Sequence, residues 1–106
     1  MYEEGVIKIL KDISIEDMDF SVRSYNCLYN SYNRTLYDII NHSINEISMI
    51  KNIGKKSLGE IVYKVHFLGL QFKDEEKNDI NLGKLYEFYK IKIEYENLVK
   101  NGLSKR

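Results

Sequence analysis

The sequence has no proline, no tryptophan and one cysteine, Cys27, in 106 residues. A lone cysteine excludes an internal disulfide framework and fits a reducing compartment, so a cytoplasmic protein is expected. No apolar run approaches the roughly 20 residues that a membrane span needs. The first stretch, MYEEGVIKILKD, places two glutamates ahead of its apolar residues and lacks a small-residue cleavage site, so it does not read as a secretory signal. Net charge is also missing: 16 basic residues balance 16 acidic ones. That argues against bulk binding of nucleic acid, although local sign decides where a phosphate can sit.

The balance is uneven along the sequence. Residues 1–20 hold two lysines against six acids, residues 21–72 six basic residues against three acids, and residues 73–106 eight against seven. A basic middle segment therefore follows an acidic one. Hydrophobic residues make up 43% and charged residues 30% of the total, a composition that suits a globular fold. Its length suits one domain with an appended helix.

The periodicity is helical nearly throughout, with no convincing strand, repeat or low-complexity tract. Ser14 with Asp17 reads as a hydroxyl cap with an acid three residues on, opening a single turn. Ser21 caps a helix running to about Tyr32. On it, Val22, Tyr25, Leu28 and Tyr29 gather on one side and Arg23, Asn26 and Asn30 on the other. Thr35 with Asp38 and Ser43 with Glu46 open two short helices. Leu58, Ile61, Val62, Val65 and Leu68 then form one stripe. Gly69 is placed to take the left-handed position after that helix, with Leu70 packing back over its last turn. The charged stretch FKDEEKND reads as an exposed linker. A last helix from about Leu82 to Val99 carries a stripe of Leu82, Tyr86, Tyr89 and Ile93, with Lys92/Glu96 and Glu96/Lys100 as i,i+4 pairs. The expected fold is all-α: a compact bundle of four short helices with a helix-hairpin-helix-like loop in residues 1–72, and a charged linker and extra C-terminal helix in residues 73–106.

Ile50-Lys-Asn-Ile-Gly-Lys-Lys-Ser57 lies between two helices. Gly54 could take a positive φ and admit another backbone. The free N–H groups and dipole of the helix that follows attract anions, and Lys55, Lys56 and Ser57 add donors at the same place. The same residues also read as a plain turn beside solvated lysines, with Lys56, Glu60 and Lys64 as a surface charge ladder. Cys27 reads as a small core residue, and His42 and His66 lack metal-ligand spacing. With no carboxylate pair beside a base, no metal cluster and no nucleotide loop, no enzyme, metal or cofactor is expected.

Two motifs together, DMDFSVRSYNCL from Asp17 to Leu28 and NIGKKSLGE from Asn52 to Glu60, resemble the C-terminal domain of the bacterial RNA polymerase alpha subunit. The resemblance covers about residues 7–72 and includes the LGL at Gly69. It implies an all-helical transcription module that contacts the minor groove of A+T-rich DNA. By that resemblance Arg23 enters the groove and Asn26 meets the backbone or a base edge. Asn52 belongs to the same hairpin, where Gly54, Lys56 and Ser57 hold phosphates. Glu60 orients Arg23 directly or through water. Asp17 and Asp19 match positions that face the sigma factor, so RNA polymerase, sigma or a transcription regulator is the implied partner. Residues 73–106 have no counterpart in the family's short tail; they could cover the domain, form a homodimer or dock a partner. Two other functions compete: a protein-interaction adaptor without functional DNA contact, and a generic helix-hairpin-helix module that needs the loop but not Arg23 or Asn26.

Overall fold

The computed structural model describes residues 2–76 and 81–102. Six helices follow one another: α1 Glu4–Asp12, α2 Val22–Asn30, α3 Leu36–Ile40, α4 Ile44–Ser48, α5 Lys55–Phe67 and α6 Gly83–Lys100, with a 3-10 turn at Ile15–Met18 between α1 and α2. The described residues contain no strand, only an isolated antiparallel bridge between Ser14 and Thr35. It fastens the α1–α2 connection to the α2–α3 connection, because the Ile15 N–H donates to the Arg34 carbonyl at 3.0 Å and the Leu36 N–H to the Ile13 carbonyl at 2.9 Å.

Helix starts follow side-chain chemistry. Ser14 with Asp17, Thr35 with Asp38 and Ser43 with Glu46 each close a reciprocal capping box, and the Ser21 hydroxyl accepts from the Ser24 N–H. Short helices such as α3 and α4 owe their existence to these caps and to packing, since five residues are too few to be helical alone. At the far end of α5 the Leu70 N–H returns to the Val65 carbonyl and the Gly69 N–H to the His66 carbonyl. That closure needs a left-handed residue, and Gly69 supplies it at φ 81°.

One core takes residues from every helix: Val6 and Leu10 of α1, Leu28 of α2, Leu36, Ile39 and Ile40 of α3, Ile47 of α4, Ile61 and Val65 of α5, and Leu85 of α6. Each such side chain contributes about 1.5–3 kcal/mol of burial. α6 is thus joined to the body rather than merely appended. Tyr89 donates its hydroxyl to Asp12 at 2.7 Å, and Lys92 reaches Asp17 at 3.8 Å while bonding Glu96 on its own helix.

The structure corrects four expectations. Residues 1–72 hold five helices rather than four, because α1 is a full helix with Val6 and Leu10 buried one turn apart; that i,i+4 pair is its trace in the sequence. α2 stops at Asn30, and Tyr32 takes a left-handed φ of 67°, because the Tyr32 and Asn33 N–H groups turn back to Tyr29 and Leu28. Phe72 is a fully buried core residue instead of the first residue of an exposed linker; residues 77–79 of that stretch lie outside the described residues. On α6, Leu85 is the buried residue and Tyr86 is exposed, whereas Leu82 and Tyr89 of the expected stripe do pack against the core.

Candidate nucleic-acid interface

α2 presents two different surfaces. Its inner one is Ser24, Cys27 and Leu28, whereas Val22, which periodicity alone assigns to the apolar side, is 77% exposed. The reason is Glu60. From α5 its carboxylate accepts the Ser21 N–H at 2.8 Å, the Ser21 hydroxyl at 2.8 Å and the Ser24 hydroxyl at 2.5 Å, and it pairs with Lys64 at 3.5 Å. A polar seam between the two helices draws in Ser24, which is 0% exposed, and turns Val22 outward. Desolvation at this seam pushes the Glu60 carboxyl upward, but the bonds from Ser24 and Ser21 and the charge of Lys64 outweigh it. The group stays below its ordinary value of 4.5.

The outer surface of α2 faces the hairpin before α5. Val22, Arg23, Asn26, Cys27, Asn30 and Ser31 form one wall of an open groove of about 950 Å³, and Ile50, Lys51 and Asn52 form the other. Arg23, Asn26, Asn30, Lys51 and Asn52 are all exposed. Among the described residues Arg23 has neither an ion pair nor a hydrogen bond. The groove thus offers a guanidinium, an ammonium and three side-chain amides, with no carboxylate in its walls. No residue of α6 lines it.

The hairpin reaches its shape differently from the expectation. Its left-handed residue is Asn52, at φ 69°, a conformation that asparagine tolerates better than most residues. Gly54 is extended at φ −101° and caps α5 without a side-chain bond. A Cβ placed on Gly54 meets nothing within 4 Å, so the backbone there is open to whatever approaches. Lys55, Lys56 and Ser57 are the first three residues of α5, whose N–H groups lack intrahelical partners. Lys55 and Lys56 are exposed, but Ser57 is only 4% exposed.

Of the residues marked from the sequence, Arg23, Asn26 and Asn52 share the groove. Gly54, Lys56 and Ser57 stand at the start of α5 beside the hairpin. Glu60 holds the first turn of α2 through Ser21 and Ser24, and Arg23 is not among its partners. Asp17 accepts the Ser14 N–H at 2.9 Å and faces Lys92, whereas Asp19 is exposed, left-handed at φ 55°, with its carbonyl bonded by Lys64. Sequence reading missed Lys51 as a groove residue; its position beside Asn52 in the loop is the only hint. Among the described residues no cluster of metal-ligating side chains occurs, and no helix is long and apolar enough to cross a membrane.

A protein family described as the C-terminal domain of the alpha subunit of bacterial RNA polymerase matches residues 2–66, more than half of the sequence. The protein belongs to this family. Its relatives include the DNA-directed RNA polymerase alpha subunit of Desulforamulus reducens, 41% identical over 75 residues, which are 71% of this protein and 24% of the relative. The alpha subunit of Mycoplasma pneumoniae is 48% identical over 59 residues, 56% of this protein and 18% of the relative. The alignment thus spans about a quarter of the length of the first of these relatives. Both walls of the groove and the start of α5 fall inside the family match, and α6 falls outside it.

Proposed function

We propose that the domain is a transcription-related module that binds A+T-rich double-stranded DNA in the minor groove. The observation that carries this reading is the convergence of Arg23 and Asn26 with Lys51 and Asn52 on one exposed groove. A narrow A-tract minor groove is strongly electronegative, so a guanidinium entering it reads width and potential more than base identity. Arg23 takes that role, and Asn26 and Asn52 meet the backbone or a base edge. The main-chain amides after Gly54, with Lys56, hold phosphates and fix register. Glu60 acts through Ser21 and Ser24 as a positioning residue for the turn that carries Arg23.

Relatives named as RNA polymerase alpha subunits suggest the setting. Polymerase, sigma or a regulator would meet the acidic surface near Asp19, since Asp17 already faces Lys92. Few phosphate contacts make a weak, salt-sensitive binder, and joining it to a larger assembly raises its effective concentration.

Fluorescence anisotropy with an A-tract duplex and an equal-length G+C duplex tests the reading. Wild type should prefer the A-tract, and Arg23→Ala should lose that preference while keeping its helical circular dichroism. Equal A-tract affinity of mutant and wild type would refute it. Wild-type binding without preference between the duplexes would favour a generic helix-hairpin-helix grip.

A second reading, an adaptor or homodimer, draws on α6, where Ile91, Tyr95 and Leu98 are exposed at i, i+4 and i+7. Light scattering on wild type and on an Ile91→Lys/Tyr95→Lys variant separates the two. A dimer lost in the variant supports self-association; a monomer in both removes it.

A further inference from the structure

Beyond the groove, α2 ends on an aromatic ledge that holds one arginine. The guanidinium carbon of Arg34 lies 3.6 Å from the centre of the Tyr29 ring and 5.6 Å from that of Tyr32, and its Nε donates to the Tyr29 carbonyl at 3.1 Å. Tyr25 stacks on Tyr29 from its own turn, with ring centres 5.8 Å apart. The backbone of Arg34 is held at both ends: its N–H donates to the Asp38 carboxylate at 3.0 Å, and its carbonyl accepts the Ile15 N–H. One oxygen of that carboxylate, Oδ2, accepts from both the Arg34 and the Thr35 N–H groups. Among the described residues no carboxylate pairs with the Arg34 guanidinium, and its two Nη groups carry no hydrogen bond.

We propose that Arg34 is a second DNA-backbone contact, a phosphate-binding guanidinium that extends the footprint of the groove past the end of α2. The inference rests on the DNA reading of that groove and adds to it a site for the phosphates of the same duplex. Two observations carry it. First, Tyr29, whose ring carries the ledge, directly precedes Asn30 and Ser31, the last α2 residues of the groove wall. Second, a guanidinium with its Nε on a carbonyl and its face on a ring is already oriented, and the Nη edge is the one that grips phosphate oxygens as a fork.

Anisotropy titrations on the A-tract and G+C duplexes at roughly 50, 100 and 200 mM salt test it, with wild type, Arg34→Gln, Arg34→Lys and Arg23→Ala. Losing one phosphate contact lowers the slope of log affinity against log salt by about 0.9. Arg34→Gln should show that smaller slope and weaken both duplexes by the same factor, leaving the A-tract preference intact. Arg34→Lys keeps a charge but not the fork, so it should keep the slope and bind several-fold more weakly. Wild-type slope and affinity in Arg34→Gln would overturn the inference. If Arg34→Gln loses its helical dichroism, Arg34→Lys decides, and wild-type affinity there overturns the forked contact. A wild-type protein that binds neither duplex refutes the DNA reading itself, an outcome distinct from failure at Arg34 alone.

Discussion

Replacing Glu60 tests how the proposed interface is held together. The wild-type carboxylate accepts three hydrogen bonds from the first turn of α2 and pairs with Lys64. Glu60→Ala leaves the Ser24 hydroxyl inside the seam without its acceptor and the Ser21 N–H without a partner. Hydrogen bonds to a charged acceptor are worth about 1.5–3 kcal/mol each when buried. The Glu60 side chain is 22% exposed and water can re-solvate Ser21, so a total loss of about 2 kcal/mol is expected. For a domain near this size that lowers the melting temperature by about 10 °C. The pH profile gives a second reading. Glu60 is held below 4.5, so its stabilisation is complete above the unfolded-state value and is lost as pH falls through the lower folded-state value. Glu46 is also held low, first by the Ser43 N–H and then by Lys73, so the wild-type acid limb contains both groups. The difference between wild type and Glu60→Gln isolates Glu60: it should be full above the unfolded-state value and shrink as pH falls through the lower folded-state value, in melts followed by circular dichroism. DNA affinity should fall in parallel, because the turn bearing Arg23 loosens. A Glu60→Ala protein that melts within about 2 °C of wild type would refute the clamp.

Two further substitutions separate fold from binding. Gly69→Ala should destabilise the body and its contact with α6, because Gly69 sits at φ 81° and an added Cβ would stand 2.0 Å from the Asn81 carbonyl oxygen. The left-handed conformation alone costs an alanine about 1–2 kcal/mol, so urea unfolding should show at least that loss. Gly54→Ala should behave in the opposite way. Its Cβ points into open space and its φ is ordinary, so the melt should stay near wild type while affinity for the A-tract duplex drops, as measured by anisotropy.

Much of the fold was legible because local chemistry marks it. Capping boxes at Ser14, Thr35 and Ser43 and the glycine after α5 are written in adjacent residues, and the structure uses each of them as expected. The groove was legible through two motifs far apart in sequence, one bearing Arg23 and Asn26 and the other Asn52. Features that depend on distant partners were not legible. Periodicity places Val22 inward and says nothing of Ser24, because the residue that reverses them, Glu60, lies 36 positions beyond Ser24. Phe72 follows no helix and carries no periodic mark, yet it is fully buried. The left-handed residue of the hairpin was assigned to glycine by default, whereas asparagine two positions earlier takes it. The role of Leu85 in place of Tyr86 depends on how α6 meets the body, which no local pattern encodes.

The bridge made by Glu60 has a mechanical consequence. One carboxylate closes the entrance of α2 and is itself rooted in α5, the helix that begins at the hairpin. The two arms of the grip are thereby geared: no small motion withdraws the arginine without tugging on the helix behind the loop. On the DNA reading proposed above, a duplex settling between two arms tied in this way would have little left to freeze.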